Sequence, residues 1–342
     1  MAPIIRLAQS AWLERSRRAG VWYAIVGVAL LAAIAGAISG APSLDRAIRQ
    51  FQGLATIFLG IFIEALPFLL AGVIVSSAIH LLVSPAQVRR LSPRSPVLAA
   101  IVGSLLGLAF PVCECGSVPT ARRLLAKGAP LPLGIAFVLA APAVNPIVIA
   151  STWVAFGGRP WIVVGRVVLT VLIAAAIGMA LGIHPRPHDL LASPDDPEDP
   201  HEHGHTEPGR LRAVLDHASA EFFEMVRYLV IGALLAATLQ TVIPRSALLA
   251  LGQGPVISAI ALMALAVVLS ICSTVDAFVA LAFASSFLPG ALLAFLVFGP
   301  MVDIKSLLMF GTTFRRRIVA LIALLAFQMV LLAAVIINLY LP

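Results

Sequence analysis

The chain is a succession of apolar runs, several longer than 18 residues with few or no charges. Runs of that length suit helices that cross a bilayer, where a span needs about 20 apolar residues. They lie near 21–42, 52–83, 97–112, 131–157, 160–183, 218–243, 255–271, 287–312 and 317–341. Composition points the same way. Hydrophobic residues are 61% and charged residues 11% of the chain, with a mean hydropathy of +1.03, whereas soluble domains are about half apolar and about a quarter charged. The expectation is an all-α polytopic membrane protein. The net charge of +7 is not a nucleic-acid footprint, because the basic residues cluster in short loops beside apolar runs, as topology signals do. The partner they imply is the lipid bilayer, not nucleic acid.

Arg6, Arg15, Arg17 and Arg18 precede the first apolar run. That run is too long for a typical signal-peptide core, so residues 1–50 are read as a cytoplasmic N-terminal segment plus an extra helix in a bacterial inner membrane. Residues 184–216 change character, being rich in Pro, Asp and His and lacking hydrophobic period. They read as a linker between two halves, 51–183 and 217–342.

The halves repeat one another. "EALPFLLAG" (64–72) matches "EMVRYLVIG" (224–232), "CGSV" (115–118) matches "CSTV" (272–275), and "PAVNP" (142–146) matches "PMVDI" (300–304). The run 97–112 is short and lies between two basic clusters, Arg89, Arg90 and Arg94 before it and Arg122, Arg123 and Lys127 after it. Both clusters reach the cytoplasm if 97–127 is a re-entrant hairpin with the cysteine loop at its tip. Such backbone is tolerated at depth only inside protein or beside a polar cavity. Each half then has about three crossings plus one hairpin, an odd number that inverts the second half, as in many secondary transporters. The competing topology makes 97–112 a full span with parallel repeats.

The breaks carry the candidate chemistry. Ser117 and Pro119 are expected at the start of the helix after the first cysteine loop, and Ser273 to Asp276 reads as a capping box. Facing tips would bring Cys113 and Cys115 to Cys272, a soft site suited to a thiophilic solute such as trivalent arsenic, antimony or a soft metal ion. Buried cysteine as a small hydrophobe is the alternative. Glu64 and Glu224 sit within apolar runs, where an ionisable group is costly and points to function. Glu114, Asp276, Asp303 and Lys305 are further candidates for proton coupling or for lining a cavity. Arg122 or Arg123 could neutralise Glu114, Arg227 could pair with Glu224, and Asp303 could pair with Lys305. Asn145 and Ser117 join the cysteines as candidate substrate contacts. Gly116, Pro119, Pro142, Pro146 and Pro300 are read as helix-breaking. Gly103 and Gly107, four apart, suggest close helix packing. "HEHGH" (201–205) could chelate metal weakly but suits a solvated linker; no metal ligand set and no cofactor is assigned.

"EALPFLLAG", "FPVCECGSVPTARRLLAKG" and "LAAPAVNPIVIASTW" resemble the ArsP-type permeases, over about residues 50–340. That resemblance implies a membrane permease, with trivalent organoarsenical export the best understood activity in the group. It singles out Glu64, Cys113, Cys115, Gly116, Pro119, Pro142, Asn145 and Pro146. The second half departs from the pattern, with one cysteine in "CSTVD" and no second proline in "PMVD". The reading is a proton-coupled exporter of a small-molecule or metalloid solute. A passive channel, a permease for another solute, and an intramembrane thiol oxidoreductase are the alternatives. No G-x-x-x-x-G-K-[ST] phosphate loop occurs, so ATP would have to act through a partner.

Overall fold

A computed structural model describes residues 44–82, 84–110, 112–182, 210–242 and 254–340. The expected first helix, the His-rich part of the linker and "HEHGH" lie outside the described residues. The chain divides into two compact units, Met1–Thr56 and Ile57–Pro342. Within the first, residues 44–56 are helical; the second holds everything that follows.

Among the described residues the chain is helical, in this order. Helix α1 is Leu44–Leu82, α2 Pro85–Leu91 and α3 Pro96–Leu105, which tightens into a 3₁₀ turn at Leu106–Leu108. Then come α4 (Glu114–Ala126), α5 (Leu131–Ala140), α6 (Pro146–Ala155) and α7 (Pro160–Gly182). The second half runs through α8 (Arg210–Val242), α9 (Ile257–Leu269), α10 (Asp276–Leu281), α11 (Pro289–Met301), α12 (Ile304–Thr313) and α13 (Arg316–Tyr340). Helix α8 begins inside the stretch read as linker. Among the described residues five stretches are long and apolar enough to cross a membrane: Ile48–Ser77, Pro160–Gly182, Ala218–Val242, Pro289–Thr313 and Arg316–Tyr340. The chain is thus a multi-pass membrane protein. The run 131–157, expected as one crossing, is two ten-residue helices. Pro142 and Asn145 lie in the turn between them and Pro146 opens the second, where its missing N–H costs no hydrogen bond.

The two halves share an order: a long helix, two broken helix pairs, and a second long helix. In each half the first and third of the short helices pack together, α3 on α5 and α9 on α11, and the closing helix packs on the latter, α7 on α5 and α13 on α11. Glycine lets α3 approach α5 closely. A Cβ on Gly103 would come within 2.9 Å of Leu133 Cα, and one on Gly107 within 2.7 Å of Ala141 Cα.

Residues 96–127 form a hairpin. Gly107, near the tip, packs beside the end of α5 at Ala141 and Val144, and Asn145 Nδ2 donates to the Val112 carbonyl at 3.3 Å. The returning helix ends beside the start of α5, with Leu125 on Gly134 and Gly128 against the Arg89 side chain. Both feet therefore lie together, with Val88, Ala99, Ala129 and Leu133 in one buried cluster. The second half folds back likewise. Asn338 near the end of α13 donates to Pro255 O (2.8 Å) at the start of α9 and accepts from Gly290 N (2.7 Å) at the start of α11. Helix α7 touches both assemblies: Gly165 meets Leu293 near the start of α11, and Gly182 meets Pro132 at the start of α5. The feet of the two hairpins are thus at opposite ends of α7.

Helices α11 and α12 are the protein's centre. The apolar window of Pro289–Thr313 is 78% buried by protein, against 22% for Arg316–Tyr340, whose outward face is left for lipid. Asn338→Leu removes both hydrogen bonds at the second foot and leaves the buried Gly290 N–H unpaired, at about 1–3 kcal/mol, while the half-buried Pro255 carbonyl loses its donor at a smaller cost. A lower apparent melting temperature of the detergent-solubilised variant is the expected result.

Candidate functional site

The four helix breaks meet, and each is held by a side chain that takes the backbone groups the break releases. Asn145 caps α6 through Oδ1, accepting from Ile147 N at 2.9 Å, while its amide nitrogen reaches the first hairpin tip. Asp303 stands in the corresponding place before α12, where Oδ1 accepts from Ser306 N at 2.6 Å and the Ser306 hydroxyl accepts from Asp303 N at 2.9 Å, a capping box. Helix α9 ends at Ser270, in a left-handed conformation at φ +44°, and Gln240 of α8 donates to the Leu269 carbonyl there at 2.8 Å. The Cys113 carbonyl accepts from Gly116 N and Ser117 N, and the Cys272 carbonyl from Val275 N and Asp276 N. These matching turns make Cys113, not Cys115, the counterpart of Cys272.

Two expected caps are absent. Cys113, not Ser117, is the cap residue of α4, and Ser117 lies inside the helix with its hydroxyl on Glu114 O at 3.0 Å. Gly116 and Pro119 lie inside α4 too, so they do not break it. Pro119, in the second turn, costs one helical hydrogen bond by lacking an N–H. A Cβ on Gly116 would lie 2.9 Å from Gly72 Cα of α1, so the glycine serves close packing. Pro300 likewise sits within the last turn of α11. In the second tip Val275 precedes α10 without a side-chain cap, because the Asp276 carboxylate is taken elsewhere.

Its partner is Arg166 of α7. Arg166 Nη1 donates to Asp276 Oδ1 at 2.9 Å and Nη2 to Oδ2 at 2.6 Å. Nη1 also reaches Thr152 Oγ1 at 2.9 Å, and Nη2 the Ser273 carbonyl at 3.4 Å. The guanidinium is 1% exposed. A fork–fork pair of this kind is stronger than a neutral hydrogen bond, which explains the loss of the capping box. A second buried pair joins Lys305 Nζ to Asp303 Oδ2 at 3.4 Å. Around Lys305 gather Glu114 and Glu64, both near enough to interact electrostatically with it. Glu114 also senses Asp303 and Asp276, and Glu64 faces Thr274 of the second tip.

The thiols belong to the same place. Cys113 and Cys115 are within hydrogen-bonding reach of each other, Cys272 interacts with Cys113 and Glu114, and all three are free, buried and part of one core cluster. Among the described residues no group of three or more His, Cys, Asp or Glu side chains is arranged to hold a metal ion.

Glu224 is not brought to this cluster. It is half-buried on α8 and pairs with Arg122 at 3.6 Å. One turn earlier, buried Glu221 lies 3.7 Å from Arg123 Nε and 3.2 Å from the Ser76 hydroxyl. The arginines of α4 thus meet α8 at the hairpin's foot and leave Glu114 to the centre. Helical spacing from Arg227 did not decide the pairing, because contacts between the halves supply the partners. Arg166 and Glu221 were missed in the sequence. For Arg166 the signal is plain in retrospect: it is the single charge inside the apolar run 160–183.

Arg166→Gln strands Asp276 as an unpaired buried charge, a loss of about 3–5 kcal/mol. Tryptophan-monitored melting of the purified protein checks this. Arg166→Lys keeps the charge but not the fork and recovers only part of the loss.

A family model described as "Predicted permease" (ArsP_1) matches residues 50–339. The UPF0718 protein YcgR of Bacillus subtilis (strain 168) is 47% identical over 273 residues, covering 80% of this chain and 92% of that protein. A Streptococcus mutans protein, named as a subunit of a two-component membrane permease complex, is 36% identical over 264 residues, covering 77% of this chain and 87% of its own. No solved structure matches. The family model covers nearly all of the described residues, and the chain belongs to the ArsP_1 family of predicted permeases.

Proposed function

We propose that the protein is a secondary permease of the bacterial cell membrane that exports a thiophilic solute, such as a trivalent arsenical, by proton-coupled alternating access. One observation carries the reading: three free thiols from two separate helix breaks lie beside buried carboxylates at the centre of a membrane protein. Thiols are the ligands that soft elements prefer, and ionisable groups at membrane depth mark substrate and proton paths. The opposed feet of the two hairpins support an inverted repeat, the architecture in which rocking of one half against the other exposes a fixed central site to each side in turn.

The chemistry follows from the donors. A trivalent arsenical exchanges a hydroxide or thiolate ligand for a protein thiolate; the thiol's proton passes to a neighbouring carboxylate and from it to the departing ligand, which leaves as water or free thiol. Release is the reverse step: water or a solution thiol takes the protein sulfur's place on arsenic, and its proton returns through the carboxylate to that sulfur. Cys113, Cys115 and Cys272 receive the solute in this scheme. Glu64 and Glu114 handle protons, and Asn145 and Asp303 hold the breaks around the site. Ser117, turned to its own helix, is not a ligand in it. The name of the streptococcal relative suggests that a second membrane subunit works with this chain.

Accumulation of methylarsenite, arsenite and antimonite in everted vesicles tests the reading. Cys113→Ser/Cys115→Ser is expected to abolish uptake of the transported solute, and collapse of the proton gradient to stop accumulation. Normal transport by the double variant would rule out the thiol site. A reporter fused after Lys127 is expected on the cytoplasmic side; a periplasmic result would remove the inside-facing hairpin.

A further inference from the structure

The central cluster has more negative than positive groups, and the geometry divides them into two classes. Among the described residues it holds four carboxylates (Glu64, Glu114, Asp276 and Asp303) and two cations (Arg166 and Lys305). Both cations are already committed. Arg166 is locked to Asp276 through two hydrogen bonds, and Lys305 Nζ lies 3.4 Å from Asp303. Among the described residues Glu64 and Glu114 have no ion-pair partner within 4 Å, and each keeps one buried oxygen, Oε1, without a hydrogen-bond partner; Asp303 Oδ2 also makes no hydrogen bond, but it faces the Lys305 ammonium. Glu114 is 2% exposed, whereas Glu64 is only half-buried.

An unpaired carboxylate at membrane depth is costly, and a proton removes that cost at once. Asp276 and Asp303 avoid that cost through their cations. The two glutamates have only the shared, more distant field of Lys305. They come from different helices of the first half: Glu64 is on α1, and Glu114 is the first residue of α4. Facing them are Lys305 and Asp303 from the fourth break, Thr274 and Asp276 from the second tip, and the thiols of Cys113, Cys115 and Cys272.

Resting on the proton-coupled reading, we infer that Glu64 and Glu114 are a two-proton relay, with Glu114 the interior site and Glu64 its half-open neighbour, while Asp276 and Asp303 are permanently ionised positioning residues. Lys305 is the switch between them. In the state seen here it leans on Asp303. When either glutamate gives up its proton, the ammonium is the one cation among the described residues close enough to both to move toward the new charge. Lys305 is the second residue of the helix that Asp303 caps, so a shift of its side chain changes the charge beside the thiols without unfolding the break. Each cycle then moves at most two protons, one per glutamate, and no proton through Asp276.

Infrared spectroscopy of the reconstituted protein, titrated in pH without any solute, reads the carbonyl stretch of protonated carboxylic acids directly. The wild type is expected to show two such components. Glu64→Gln and Glu114→Gln each remove one, whereas Asp276→Asn removes none. Lys305→Met, which strips Asp303 of its partner, adds a third component that is absent from Lys305→Met/Asp303→Asn. The shorter acids Glu64→Asp and Glu114→Asp keep the proton and move its component, which assigns the bands should a glutamine variant not fold. Loss of a component in Asp276→Asn, a third component that persists in Lys305→Met/Asp303→Asn, or an unchanged spectrum in either glutamine variant, overturns the assignment. Transport that ignores the proton gradient while both components remain would instead overturn proton coupling and leave the two protonated sites standing.

Discussion

A helix that stops halfway through a membrane releases amide and carbonyl groups where no water can take them, and the rest of this structure depends on how those groups are satisfied. Four breaks meet here, and the released groups are taken by side chains from neighbouring elements. Asn145 links the first interrupted pair to the first hairpin tip, and Gln240 closes the end of α9. Asp303 and Ser306 cap one another's amides, and Arg166 takes a carbonyl of the second tip along with its carboxylate. The price of such breaks is a need for polar residues at depth, and those same residues give the centre its chemistry.

The charges there arise from the same need. A buried arginine is tolerable because Asp276 offers both oxygens to its fork and Thr152 a third acceptor. Lys305, a point charge on a flexible stem, has a looser arrangement with Asp303 and remains within the field of two glutamates. One pair is rigid and the other adjustable. That contrast follows from the two side chains' shapes and explains why a structural and a movable cation can sit in one cluster.

Much of this was legible in the residues. Long apolar runs and the matched segments of the two halves gave the membrane class and the repeated order of elements, and the basic clusters on both sides of "PVCECGSVPT" favoured a hairpin over a full span. The alignment paired Asn145 with Asp303, and the structure makes both of them helix caps, a shared role the sequence did not announce. What stayed hidden was set by contacts distant in sequence. Ser273–Asp276 has the local form of a capping box, yet Asp276 is drawn away by an arginine 110 residues earlier. Glu224 aligns with Glu64 but turns to Arg122, because α8 passes the basic foot of the first hairpin. Pro119 and Gly116, breakers by local propensity, are carried inside a helix by its packing on α1 and α12.

Across the two halves the packing is reciprocal: α4 lies on α12, and α10 lies on α6. Each half therefore supplies the wall against which the other's hairpin is completed. A ribosome delivers these pieces in sequence, so Arg166 enters the bilayer more than a hundred residues before the carboxylate that neutralises it. Until Asp276 emerges, the first half is a charged and unfinished object in lipid, held by the insertion machinery or by water drawn into the membrane. The order of synthesis, as much as the final contacts, is constrained by that one buried guanidinium.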